Sequence, residues 1–140
     1  MKALDRRSAL KITALSAASV PVLLSSSDAS AQRYGADEGK EVAPGVRIIQ
    51  LTERPSEIAA YKTISMRDIV FQPNAKIEAP AMDNDMICHV LEGALQIDQG
   101  GNQFEASTGQ VWSCAKGQPE TSVNETDTVA IMRVTDLLES

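Results

Sequence analysis

From Val46 to the C-terminus, the chain is a succession of short apolar and β-branched runs separated by Gly, Pro and Asn. The runs are VRIIQLT, AYKTISMRDIVF, MICHVL, GALQID, NQFEA, QVWSC and TVAIMRVTDLL. Short strands at regular spacing are typical of a β-sandwich or β-barrel, and the Gly-Gly pair inside QIDQGGNQFEA indicates a hairpin. No convincing helical period appears in this part of the sequence. We therefore predict an all-β fold in a single domain over residues 46–140.

The first 31 residues have the composition of an export signal. A basic start that contains Arg6 and Arg7 is followed by the apolar stretch ITALSAASVPVLL and the small-residue run SSSDASAQ. The apolar stretch is too short to span a membrane. The segment DRRSALK resembles the twin-arginine motif, although an ordinary secretory signal with two arginines is the alternative. We predict a twin-arginine-type signal peptide over residues 1–31, cleaved after Ala31, and a periplasmic or secreted protein.

The polar, Gly-rich residues 32–45 are predicted to form a flexible arm or linker. The whole chain has 13 Lys and Arg and 19 Asp and Glu. Removing the signal takes away four basic and two acidic residues, which leaves a net charge of −8. A surface this acidic argues against nucleic acid as a partner and against stable association with anionic membranes after signal cleavage.

Two spaced motifs within residues 74–124 resemble the two sequence boxes of the cupin superfamily. Anchored on Gly93, the first box begins at Asn74, where the family has glycine. In GQVWSCAKGQPETSVN, the second box matches at Gly109, Gly117 and Asn124. The glycines stand at predicted turns, where a positive φ is readily adopted by Gly. The resemblance implies a single cupin-like jelly-roll β-barrel.

The metal ligands of that family have no counterpart here. The resemblance implies a site of three histidines and a glutamate. These four positions fall on Pro80, Met82, Met86 and Glu120, or on Ala79 and Ala81 for the first two if the spacing is one residue longer. Pro has no ligand atom, and Met offers only a weak thioether. We therefore predict no iron, manganese or nickel site and no cofactor.

Strand alternation predicts which side chains line the barrel. If Met86 faces the interior, Cys88 also faces inward, whereas Ile87 and His89 face outward. In QVWSC, the same rule places Trp112 and Cys114 together on the inner face. The predicted ligand-binding pocket consists of Met82, Met86, Cys88, Trp112, Cys114 and Glu120.

Three functions are compatible with this interior. We favour a non-enzymatic module that binds an unknown small molecule or has a structural role, because Met and Cys are most often packing residues. The alternatives are an enzyme that uses Glu120 or a cysteine, and a soft-metal protein that holds copper or zinc through Cys88, Cys114 and Met86. The two cysteines are compatible with a disulfide or with two free thiols.

A homodimer is also expected. The resemblance implies pairing through outward faces or exchanged edge strands, and YKTISMRDIVF is predicted to be such an edge.

Overall fold

A computed structural model describes residues 33–139, so the predicted signal peptide lies outside the described residues. The chain divides into Met1–Gly35 and Ala36–Ser140, and the second unit contains ten strands. They are β1 (Lys40–Ala43), β2 (Val46–Pro55), β3 (Thr63–Phe71), β4 (Lys76–Ala79), β5 (Asp85–Glu92), β6 (Ala94–Gln99), β7 (Asn102–Ser107), β8 (Val111–Cys114), β9 (Glu120–Val123) and β10 (Ala130–Leu138). The described residues form no helix that is long and apolar enough to cross a membrane.

The strands form two antiparallel sheets. The order is β1-β2-β3-β10-β5-β8 in the larger sheet and β4-β9-β6-β7 in the smaller one. Inward-facing side chains of both sheets make one apolar core, in which Phe71, Leu95, Ile97 and Val134 are almost completely buried. This arrangement is an all-β jelly roll, and the predicted fold class is confirmed.

Each of the seven β-type runs in the sequence contains a strand, and the Gly-Gly hairpin joins β6 to β7. The sequence prediction did not include β1, β4 and β9, which have four residues each. β1 lies within the predicted arm, so residues 40–43 belong to the β-domain. They form a hairpin with β2 through Pro44 and Gly45. This strand is held by its hydrogen bonds to β2, and its polar sequence alone does not predict it.

The strand that we expected at a sheet edge is internal, and that prediction is wrong. β3 pairs with β2 on one side and with β10 along its whole length on the other. Its alternating pattern indicates a strand with two differently packed faces. Such a pattern does not distinguish an edge strand from a central one, because both have the same period of two.

The box residues form the turns of the barrel. Gly93, Gly109 and Gly117 all have positive φ, as predicted. At Gly93 the φ is 77°, and a Cβ atom there would lie 2.9 Å from the backbone oxygen of Val129. Asn74, which replaces the glycine that opens the first box, is the one non-Gly residue among the described residues with positive φ, at 67°. Asn tolerates this conformation better than other side chains do, so the turn is preserved.

Asn124 connects two loops at the same end of the barrel. Its side-chain nitrogen donates to the carbonyl oxygens of Phe71, Gln72 and Thr128, and its side-chain oxygen accepts from Thr126. The residue is fully buried. Because the buried amide makes all of its hydrogen bonds to neighbouring loops, a structural role is sufficient to explain why Asn occupies this position.

Candidate functional site

A cavity of about 210 Å³ lies between the two sheets. Its apolar wall consists of Ile69, Ile77, Met82, Met86, Met132 and Val134. Glu120 and Ser122 add polar groups from β9, and Arg67 adds one from β3. The lining is therefore mainly apolar, with its polar groups concentrated on a few side chains.

The alternation predicted for β5 and β8 is observed. Met86 and Cys88 are buried on the inner face of β5, and Ile87 is 43% exposed on the outer face. Cys114 is buried on β8, while Trp112 is partly buried and packs against the core. Of the six predicted pocket residues, Met82, Met86, Cys88 and Glu120 line the cavity. Trp112 and Cys114 do not line it, but both contact Glu120.

Glu120 is the centre of a hydrogen-bond network. Its Oε2 accepts from Gln99 Nε2 at 2.9 Å, from Trp112 Nε1 at 3.0 Å and from Cys114 Sγ at 2.8 Å. Its Oε1 accepts from Ser122 Oγ at 3.1 Å. All four groups are donors, which suits a carboxylate because its oxygens only accept. The network holds a buried acid, 4% exposed, in one orientation.

The two cysteines extend this network. Both are free and buried, and one ligand atom each from Cys88, Cys114 and Glu120 lie within 4.8 Å of one another. The Cys114 thiol donates to Glu120, and it also accepts from Gln99 Nε2 at 3.1 Å. The hydrogen bond to Cys114, burial and the negative charge of Glu120 raise the pKa of the Cys88 thiol far above its ordinary value. Without a bound ion, Cys88 is therefore held as the neutral thiol.

Polar residues that the sequence analysis missed line one part of the cavity. Arg67 makes a bidentate ion pair with Asp136, and Asn84 donates to the same carboxylate at 3.1 Å. Arg67 could have been found from the sequence, since alternation in β3 places it on the same face as the core residue Ile69. Asn84 carries no such signal, because it lies in the loop between β4 and β5.

Hydrogen bonds hold this loop and the first residue of β5 against neighbouring segments of the chain. Asp85 accepts a hydrogen bond from the Tyr61 hydroxyl at 2.6 Å and from the backbone nitrogen of Lys116 at 2.8 Å. The hydrogen bond from Tyr61 is the main reason that the pKa of Asp85 is lowered. Met82 also exchanges backbone hydrogen bonds with Gly117 and Gln118. These contacts hold the 80–84 loop beside the turn that follows β8.

Solved structures share this architecture at low sequence identity. The cupin domain of Cnp3 from Schizosaccharomyces pombe is 14% identical, with a TM-score of 0.55, over 66% of this chain and 64% of that one. The Cupin_2 domain of a transcriptional regulator from Enterobacter cloacae is 15% identical, with a TM-score of 0.55, over 65% and 94%. The chain has the cupin fold. A predicted oxalate decarboxylase from Thermotoga maritima is similar as well, at 15% identity and a TM-score of 0.54 over 66% and 80%.

No protein-family model matches the sequence, and no curated protein matches it. At these identities, the solved structures support the fold alone.

The usual cupin metal does not fit this barrel. At the positions where the family has its ligands, Pro80 is exposed and Met82 and Met86 contribute to the apolar wall of the cavity. Glu120 alone supplies a hard ligand atom there, and the one histidine of the chain, His89, lies on the outward face of β5. Iron, manganese and nickel sites need several nitrogen or oxygen ligands, which these positions do not provide.

Proposed function

We propose that this cupin is a non-enzymatic module that binds a small, mainly apolar molecule in its barrel. The observation that carries the proposal is the 210 Å³ cavity, in which an apolar wall meets the buried Glu120 and Ser122. Pockets for small molecules combine a hydrophobic lining with a few fixed polar groups in the same way.

The size and charge of the cavity narrow the ligand class. A cavity of about 150 Å³ is enough to hold benzene, so this one accommodates a single ring with a short substituent. Oε1 of Glu120 accepts one hydrogen bond, from Ser122, and a carboxylate oxygen has room for a second donor. Asp83 also lines the cavity and would repel an anion. We therefore favour a neutral ligand with a hydroxyl or amine donor.

The chemistry of the site supports binding rather than catalysis. A cysteine nucleophile acts as the thiolate, and the raised pKa of Cys88 opposes that form. Oε2 of Glu120 already accepts three hydrogen bonds, so proton transfer through it would disrupt the network. An enzyme that uses Glu120 through Oε1 is the alternative.

Cyclohexanol is a suitable probe for this cavity. Binding can be followed by the fluorescence of Trp112, which is the only tryptophan of the chain and donates a hydrogen bond to Glu120. We expect saturable changes in Trp112 fluorescence and a rise in melting temperature in metal-free protein. Glu120→Gln should weaken binding about tenfold, the effect of losing one hydrogen bond to a charged group. Cyclohexanecarboxylate should bind more weakly than cyclohexanol.

Ala79→Leu tests whether the probe enters the cavity, because Ala79 is part of the cavity lining. Ala94→Leu is the matched control, because Ala94 is in β6, a strand that contributes no residue to the lining. Binding should be lost in the first variant and kept in the second. Equal binding by both variants would contradict the proposal.

We further propose that the protein acts after export, on the basis of the predicted signal. The natural test is to replace Arg6 and Arg7 by Lys. The precursor should then stay in the cytoplasm, because the twin-arginine translocase reads the arginine pair. Unchanged export of the double variant would indicate the general secretory route.

A homodimer through β2 is the third part of the proposal. In the described residues, β1 pairs only with Val46–Ile48 of this strand, and residues 50–55 are exposed on both faces. An unpaired edge of this length is available to a second copy of the chain. Light scattering should give twice the monomer mass, and Leu51→Lys should lower it to that of a monomer. A monomeric wild-type protein at micromolar concentration would refute the dimer.

A further inference from the structure

Cys88, Cys114 and Glu120 form a group with the composition and spacing of a three-ligand metal site. All three are buried, and their ligand atoms lie within 4.8 Å of one another. Around one Zn²⁺, with Zn–S about 2.3 Å and Zn–O about 2.1 Å, tetrahedral ligand atoms lie about 3.5–3.8 Å apart. The side chains therefore need only small rotations to meet a common ion.

From this geometry we propose that Cys88, Cys114 and Glu120 bind one Zn²⁺ at the edge of the barrel cavity. The ion replaces the protons of the two thiols, including the Cys114 proton that is donated to Glu120. Two protons leave to solvent for each Zn²⁺ bound, and no electron is transferred. The zinc site shares Glu120 with the small-molecule site proposed above, which otherwise uses the apolar wall and not the two thiols.

The charge of the site favours zinc over monovalent copper. Zn²⁺ bound to two thiolates and one carboxylate leaves the group with a formal charge of −1. Cu⁺ bound to the same three deprotonated groups would leave −2. An additional buried charge without a partner is unfavourable in a protein interior. The donors Gln99 and Trp112 already offset the single charge, through their hydrogen bonds to Glu120.

The strand register favours an ion over a disulfide. Cys114 is directly opposite Met86, and Cys88 is directly opposite Trp112, so the two cysteines are diagonal neighbours on β5 and β8. Cα atoms of diagonal neighbours are about 7–8 Å apart, and a disulfide usually needs about 4.4–6.8 Å. A bridging ion spans the longer separation without moving either strand.

Surrounding residues complete the site. Gln99, Trp112 and Ser122 fix the orientation of the Glu120 carboxylate, which is the role that outer hydrogen bonds have around zinc ligands. Cys88 and Glu120 line the cavity, which gives the ion a route of entry. The fourth coordination position is left to water, as in zinc sites with three protein ligands.

The test begins with zinc titration of the purified, reduced protein against a chromophoric chelator. We expect one Zn²⁺ per chain and the release of about two protons per ion in weakly buffered solution, since both ligand thiols lose theirs. Co²⁺ in place of Zn²⁺ should give a thiolate-to-cobalt charge-transfer band. Protein isolated without reductant should retain two titratable thiols.

Four variants separate the ligands from the rest of the barrel. Cys88→Ser and Cys114→Ser should each reduce the cobalt charge-transfer band to that of a single thiolate and weaken zinc binding by at least about 100-fold. Gln99→Leu keeps all three ligands but removes the amide that donates to Glu120 and Cys114, so a loss of about 10–100-fold is expected. The double variant Cys88→Ser/Cys114→Ser should still bind cyclohexanol, which needs only the apolar wall and Oε1 of Glu120, so failure of one proposal can be told apart from failure of the other. Should a serine variant fail to fold, Cys-to-Ala substitution at the same position serves instead.

Three outcomes would contradict the proposal that Cys88, Cys114 and Glu120 bind zinc. One is zinc binding that is equal in the wild type and in the double variant Cys88→Ser/Cys114→Ser, which would place the ion elsewhere. Another is the absence of free thiols in protein isolated without reductant, which would make the pair a disulfide. The third is tighter retention of Cu⁺ than of Zn²⁺ under matched competition, which would refute the charge argument.

Discussion

The turns of this barrel match the cupin sequence pattern more closely than its interior does. At the turns, Gly93, Gly109 and Gly117 keep both the residue and the backbone conformation, and Asn74 keeps the conformation with another residue. The four positions of the metal ligands instead hold Pro80, which is exposed, and the cavity residues Met82, Met86 and Glu120. Turn residues are constrained by backbone sterics, whereas interior side chains need only fill space and satisfy their polar atoms. The fold is therefore compatible with an interior that lacks the usual cupin metal ligands.

Among the substitutions considered below, Gly93→Ala should lower the free energy of unfolding most. Gly93→Ala combines a positive φ with a Cβ that would meet the Val129 oxygen at 2.9 Å and the Ala130 Cα at 3.0 Å. We expect the free energy of unfolding to fall by about 4 kcal/mol. Gly109→Ala is the matched control, because its φ is 92° but nothing lies within 4 Å of its Cβ. It should lose about 1–2 kcal/mol in chemical denaturation. Equal losses would show that the contact at Gly93 is unimportant.

Asn124→Ala should have the next largest effect. The substitution leaves the buried carbonyl of Phe71 and the other acceptors around it without their donor. A loss of about 3 kcal/mol in unfolding free energy is expected. Asn102→Ala, at an exposed position of the β6–β7 hairpin, should change stability by less than about 0.5 kcal/mol. If Asn124→Ala were equally mild, this end of the barrel would not depend on the second box.

In the interior, Cys88 makes stability depend on alkaline pH. Its folded-state pKa lies above the ordinary value of 9.0, so its stabilising contribution is complete below that pH. Above it, the thiol ionises in the unfolded chain but not in the folded one. For metal-free protein, the stability difference between wild type and Cys88→Ser should shrink by up to about 1.4 kcal/mol per pH unit. Urea unfolding at pH 7, 9 and 10 measures this, and a constant difference would show that Cys88 ionises freely.

Met86→Leu should have the smallest effect, although Met86 occupies the position of the family's glutamate ligand. The two side chains have similar volume, so we expect a loss below about 1.5 kcal/mol. Zinc affinity should be unchanged, because the three proposed ligands remain. A large loss of zinc affinity would instead make the Met86 sulfur a fourth ligand and would reduce the contrast between turns and interior.

The sequence by itself determined the all-β class, the main strands and the turns. Alternation and turn residues are local signals, and for that reason the inward positions of Met86, Cys88 and Cys114 could also be predicted. The strands β1, β4 and β9 could not, because each has four residues of which at most two are apolar, whereas the equally short β8 has three.

Only the tertiary structure decided how these pieces meet. Register places Cys88 diagonally across from Cys114, and β9 then brings Glu120 to hydrogen-bonding distance of the Cys114 thiol. The donors Gln99 and Ser122 carry no signal in the sequence, since each is an ordinary polar residue of a strand. Pairing between strands distant in the chain is a property of the whole fold, and that pairing converts scattered sulfur, carboxylate and amide groups into one site.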